Sequence, residues 1–185
     1  MEMYFIAIVL PEELDSKILT YKEWMLEHYG CRVGLKSPAH ITLVPPFWMQ
    51  PQQEGWLLQN MDSISAGLMP FTIKTEGFAA FKPRTIFIQP ALSPELQYTK
   101  KKLDDWLKEA PSFGAKADNR PFHPHITIAT RDLNKWAFAD AWPHFQNRKF
   151  ESEWTATGIS ILRHNKKNWD VIYTSQFKNI ESKES

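Results

Sequence analysis

The chain has little cysteine: Cys31 is the one thiol in 185 residues. That excludes an internal disulfide framework and any Cys-rich zinc module, so Cys31 reads as a reduced packing residue. A surplus of charge is missing as well, since 22 Lys+Arg stand against 21 Asp+Glu for a formal net charge of +1. A bulk grip on long nucleic acid scales with clustered positive charge and is excluded. Long hydrophobic runs are absent too. The apolar stretch Tyr4 to Leu10 is preceded by Glu2 and followed by Pro11, Glu12 and Glu13. A membrane helix needs about 20 apolar residues, and a signal peptide needs a basic flank and a small-residue cleavage site. The stretch therefore reads as a buried strand, and the protein as soluble and cytoplasmic. No phosphate-cradling glycine loop, dinucleotide fingerprint or Ser-His-Asp order is present.

What the chain does have is a hydrophobic fraction of 43%, with eight Trp and twelve Phe that read mainly as an aromatic core. The length suits one ordinary domain built from two small lobes. Periodicity and punctuation predict a strand at 3–10, a helix at about 12–29, and a strand at 39–44 stopped by Pro45-Pro46. A helix at about 52–67 and strands at 70–77 and 84–89 follow. The second half predicts a helix at about 94–109, with Ser93 as N-cap and Pro94 in its first turn. Next come a loop opened by Pro111 and Gly114 and carrying Asp118, Asn119 and Arg120, and a strand at 124–130. A helix at about 132–142 stopped by Pro143, strands at 149–162 and 169–177, and a polar tail from Lys178 complete the order.

The two halves align. His40 to Arg84 spans 44 positions, and so does His125 to Trp169. Such duplication predicts two similar lobes facing each other. No Gly/Ser linker separates them, so residues 1–185 read as one bilobal unit.

The string His-Ile-Thr-aliphatic occurs at His40-Ile41-Thr42-Leu43 and again at His125-Ile126-Thr127-Ile128. On a strand, residues i and i+2 face the same side, so each string offers an imidazole and a hydroxyl to one surface. In-line displacement at phosphorus needs a base on one side and an acid on the other, and histidine fills either role near neutral pH. Thr42 and Thr127 hydroxyls suit the non-bridging phosphate oxygens, where charge collects in the transition state. The scheme needs no metal and no cofactor. His123 and His125 have a spacing that zinc accepts, but no third ligand is obvious nearby.

On these residues the chain resembles the 2H phosphoesterase superfamily, and within it the bacterial RNA 2',3'-cyclic phosphodiesterases, or 2'-5' RNA ligase-like proteins. The strand Phe5-Ile6-Ala7-Ile8, the Gly77-Phe78…Phe81 segment and Arg120-Pro121-Phe122 leading to Pro124-His125 support the likeness. The resemblance implies a bilobal α+β fold, with two antiparallel sheets lining a central cleft and helices outside. It implies metal-free hydrolysis of a cyclic phosphodiester at an RNA or nucleotide end, with His40 as general acid and His125 as general base. No membrane and no obligate protein partner are expected. Relatives often carry an arginine shortly after the second motif, where this chain has Thr130 and then Arg131. If the strand continues regularly, Arg131 shares the face of His125 and clamps a phosphate; if it ends at Thr130, Arg131 meets water. Phe47 and Trp48, after the proline pair, are candidates for stacking a nucleobase. Lys36 shares parity with His40, and the run Lys100-Lys101-Lys102 reads as a solvated helix face. Rival readings are 2'-5' cleavage or ligation, hydrolysis of a cyclic nucleotide-sugar phosphate, and an RNA-end-binding module without turnover.

Overall fold

The computed structural model describes residues 1–110, 113–118 and 120–178. Pro111 and Asn119 of the expected loop, and the tail beyond Lys178, lie outside the described residues. Among the described residues, eight strands are arranged in two antiparallel four-stranded sheets. The strands are β1 (Glu2–Val9), β2 (His40–Met49), β3 (Phe71–Phe81), β4 (Thr85–Pro90), β5 (Ile126–Ala129), β6 (Glu153–Ala156), β7 (Gly158–His164) and β8 (Trp169–Gln176). The helices are α1 (Glu12–Tyr29), α2 (Glu54–Ser65), α3 (Pro94–Glu109) and α4 (Lys135–Phe145), with a 3-10 turn at Val33–Lys36. One sheet runs β2-β1-β7-β8 and the other β5-β4-β3-β6. This is the α+β architecture of two antiparallel sheets with helices that the sequence led us to expect. Among the described residues, no helix is long and apolar enough to cross a membrane.

The two sheets are built alike. Each places a His-x-Thr segment at an edge, on β2 or leading into β5, beside an inner strand, β1 or β4. A helix joins the pair in each case, giving β1-α1-β2 and β4-α3-β5. The structural repeat therefore differs from the 44-residue sequence alignment. That alignment matches β4 to β8, whereas β4 holds the place in its sheet that β1 holds in the other.

Three expectations from proline and periodicity are corrected. The pair Pro45-Pro46 does not stop the second strand, which runs on to Met49. β2 is an edge strand, and both prolines lie between Val44 and Phe47, the partners of Ile6 and Tyr4, where the β1–β2 register slips. A missing N–H is tolerated at an edge or a bulge. Pro143 lies inside α4, because Ala141 and Phe145 are fully buried and packing carries the last turn past the ring. The predicted strand at 149–162 is two strands separated at Thr157: β6 pairs with β3, whereas β7 pairs with β1, so the chain changes sheet there. Gly158 permits the crossing, since a Cβ on it would sit 2.5 Å from the Ser175 carbonyl oxygen.

The core is continuous from Ile6 and Ile8 of β1 through Ile18 and Met25 of α1 to Ile86 and Ile88 of β4. Cys31 is buried and carries a free thiol, as its packing role requires. The 3-10 turn after α1 lies against the second histidine strand, where a Cβ on Gly34 would come within 2.4 Å of the Ile128 carbonyl oxygen. Backbone cannot yield there as a flexible side chain would. Gly34→Ala should lower unfolding free energy by about 1–3 kcal/mol in urea denaturation. Gly55→Ala, in α2 with nothing within 4 Å of the added methyl, should be neutral or stabilising by up to about 1 kcal/mol.

Candidate active site

Each histidine is held in the same way. His40 Nδ1 lies 2.7 Å from the Pro38 carbonyl oxygen, and His125 Nδ1 lies 2.8 Å from that of His123. A carbonyl only accepts, so Nδ1–H donates in both, and in the neutral imidazole the lone pair is on Nε2. Aromatic rings fix the planes. His40 packs on Phe5 of β1 at 4.8 Å between centroids, and His125 on Phe87 of β4 at 5.5 Å. A second ring joins each pair: Trp169 lies 4.7 Å from Phe5, and Phe81, 4.5 Å from Phe87, also meets His125 at 5.1 Å and lines the cavity. The aromatic surplus of the sequence thus goes partly into two matched cradles for imidazole.

Register carries the threonines to the same surface. Thr42 pairs with Ala7 and His40 with Val9 on the face that also carries Phe5, while Ile41 pairs with the core residue Ile8. Thr127 pairs with Phe87 across the β4–β5 ladder. A cavity of about 290 Å³ lies between the two edge strands, lined by Thr42 from one and His125 from beside the other. His40 and Thr127 do not line this cavity; each stands two residues along from a lining residue.

Burial is the main cause lowering the His40 pKa, to about 4, with the charges of Lys22 and His125 adding to the effect against the Pro38 hydrogen bond and Asp15. His125 is also lowered, again chiefly by burial. Both imidazoles therefore favour the neutral form at neutral pH in the free protein.

Several expected site residues lie elsewhere. Phe47 is buried, packing against Tyr4 and Phe113, and is withdrawn as a base-stacking residue. Its place opposite Tyr4 is on the core face with Ile41 and Met49, where plain alternation from His40 also puts it, an odd number of residues along. Trp48 is 51% exposed and pairs with Met3 on the cleft face, but at the far end of β2 and outside the cavity lining. Arg131 is also corrected. β5 ends at Ala129, Arg131 is exposed with φ 56°, and it does not line the cavity. Lys36 belongs to the 3-10 turn, so strand parity with His40 does not apply to it.

The cations that do line the cavity are Lys100 and Arg120. Arg120 is held by Asp118, with Nη2 2.8 Å from Oδ2, and this pairing keeps the Asp118 carboxyl down near a pKa of about 2. Lys100 departs from the solvated face expected of its run. It is 8% exposed, pairs with Asp104 and lies over the Phe122 ring. A signal for this exists in the sequence, since Leu96, Thr99, Lys100, Leu103 and Leu107 follow the helical repeat of one buried face.

Comparison with known proteins places the chain among relatives of sequence and fold. A sequence profile of the 2'-5' RNA ligase superfamily matches residues 11–168, which include both His-x-Thr segments. The chain is 26% identical over 155 residues to an RNA 2',3'-cyclic phosphodiesterase of Bacillus subtilis, covering 76% of this chain and 75% of that protein. It is 31% identical over 146 residues to one from Geobacillus stearothermophilus, covering 69% of this chain but 41% of that protein. In fold, it is similar to a protein of Thermus thermophilus, with TM-score 0.65, 18% identity and coverage of 97% and 100%. Escherichia coli LigT complexed with 3'-AMP gives TM-score 0.63 at 17% identity, covering 96% of this chain and 99% of that one. With most of its length matched by that profile and its sheets arranged as in these structures, the chain belongs to the 2'-5' RNA ligase superfamily of 2H phosphoesterases.

Proposed function

We propose that the protein hydrolyses a 2',3'-cyclic phosphodiester at an RNA or nucleotide end, using His40 and His125 as the acid–base pair. The observation that carries this reading is the matched Nδ1–carbonyl bond of both imidazoles, which leaves two Nε2 atoms as the reacting nitrogens. Water attacks phosphorus as one imidazole takes its proton, and the P–O bond to the ribose breaks as the other imidazolium protonates the leaving oxygen. Thr42 and Thr127 donate to the non-bridging oxygens. Every proton in this sequence is carried by imidazole or water, so no step calls on a metal. Lys100 and Arg120 place positive charge at the cavity, in the role that the sequence suggests for Arg131. The B. subtilis and G. stearothermophilus relatives bear the name of this activity, which supports the cyclic phosphate as substrate class.

His40→Ala and His125→Ala should each reduce kcat on a short RNA ending in a 2',3'-cyclic phosphate by about 10²–10⁴-fold, with circular dichroism unchanged and wild-type turnover unaffected by EDTA. Turnover retained in both variants would falsify the mechanism; tight binding by wild type without hydrolysis would mark an RNA-end-binding module instead.

The pH dependence follows from the two lowered pKa values. In the free enzyme one imidazole must carry a proton while the other has lost its own, and both pKa values lie below the ordinary 6.5. The kcat/KM profile should therefore be a bell with its maximum below pH 6.5. The kcat profile should lie to the alkaline side of it, because a bound phosphate anion favours imidazolium. A kcat/KM maximum above about pH 7 would contradict this assignment.

Arg120→Gln should raise KM about 10-fold, the scale of one hydrogen bond to a charged group, whereas Arg131→Gln should leave KM within about twofold. Steady-state kinetics on the same RNA separates the two arginines.

A further inference from the structure

Helix α1 carries two charged groups that the proposed chemistry does not use, Asp15 and Lys22. They are seven residues apart and so project from the same stripe of the helix, two turns from one another. Lys22 is 3% exposed, and its Nζ donates to the Ser37 carbonyl oxygen at 3.1 Å. Asp15 Oδ1 accepts from the fully buried Ala39 N–H at 2.7 Å. Pro38 lies between these two anchored residues, and its carbonyl receives His40 Nδ1–H at 2.7 Å. The peptide that orients the imidazole is therefore held on both sides by one helix.

We propose that Asp15 and Lys22 are positioning residues for His40, clamping the Ser37–Ala39 segment so that the Pro38 carbonyl stays in place to fix the imidazole with Nε2 toward the cleft. This rests on His40 being a reacting imidazole.

A buried ammonium is costly, and a methionine of similar length would fill the space without desolvating a charge. Burial pulls Lys22 down to about 8, with Asp15 opposing, so it remains cationic at neutral pH. The charged and titratable groups that act on His40 are Lys22 and Asp15 from α1 and His125 from beside β5; Phe5, its neighbour from β1, is neutral. Removing the Lys22 charge takes away a cation that disfavours imidazolium at His40. His125 differs in its support: its carbonyl partner, His123, lines the cavity itself. The two halves of the site thus match in motif but not in what stands behind it.

The test is imidazole ¹⁵N NMR of the full-length protein, alongside kinetics on the cyclic-phosphate RNA. In Lys22→Met, the His40 titration midpoint should rise and its neutral form should lose the strict Nδ1–H tautomer. Its kcat should fall about 10- to 100-fold, the usual effect of losing a partner that orients a reacting side chain, with KM within about twofold. Asp15→Ala should cause the same loss of tautomer. Asp15→Asn, which still offers an oxygen to Ala39, should retain it. An unchanged His40 tautomer and midpoint in folded Lys22→Met and Asp15→Ala would overturn the proposal. If either fails to fold, Lys22→Leu, which has no donor for the Ser37 carbonyl, takes its place in the NMR comparison, and an unchanged His40 there overturns the proposal equally. Because the NMR signals report His40 whether or not RNA is cleaved, a wild type inactive on the RNA would count against the functional reading alone.

Discussion

The bond from imidazole Nδ1–H to the carbonyl two residues earlier is the constraint on which the site depends. It assigns the tautomer, sets the ring's direction and leaves one nitrogen for chemistry. The bond forms only if the segment before each histidine is held still and the strand pairs in the right register. Both conditions are met from behind: β1 and β4 fix the register, and Phe5 and Phe87 from those same strands give the rings a surface to rest on. A second aromatic beside each of them, Trp169 or Phe81, helps keep Phe5 and Phe87 buried although both lie on the cleft side of their sheets. Packing and chemistry are not separable in this cleft.

Much of this is legible in the sequence because its informative signals are local. Alternation on a strand puts His40 with Thr42 and His125 with Thr127, and a repeated tetrapeptide needs no knowledge of the fold to be noticed. What escapes is whatever depends on sheet membership. Proline stops a central strand but not an edge one, so Pro45-Pro46 cannot be read without knowing that β2 is an edge. The apolar run through Thr157 gives no sign that its two parts join different sheets. Phe47, by contrast, is legible: it lies an odd number of residues from His40, so alternation alone turns it to the core face with Ile41 and Met49.

Charged residues are the other blind spot. Lys22 and Lys100 are among the few buried polar side chains of the described structure, and lysine is so often solvated that neither stands out in a string of letters. Both occupy helix positions in step with apolar neighbours, Ile18 and Met25 around Lys22, Leu96 and Leu103 around Lys100. A lysine on the apolar stripe of an amphipathic helix has to be accounted for, because its burial opposes the hydrophobic logic of that stripe. Arg131 illustrates the converse. A regular strand would aim it at the phosphate, but β5 ends at Ala129 and the chain turns away at Arg131 with a positive φ.

The crossing at Thr157 bears on how the chain is made. β1 meets β2 as soon as α1 has been synthesised, but its other edge is closed by β7, which begins at Gly158. Throughout the intervening synthesis, the strand that supports His40 shows an open row of amides and carbonyls to any extended neighbour. The second sheet waits in the same way for β6 to cover β3. Neither half of the molecule completes its sheet from its own sequence, so the two sheets mature together, and late, as the growing chain leaves the ribosome.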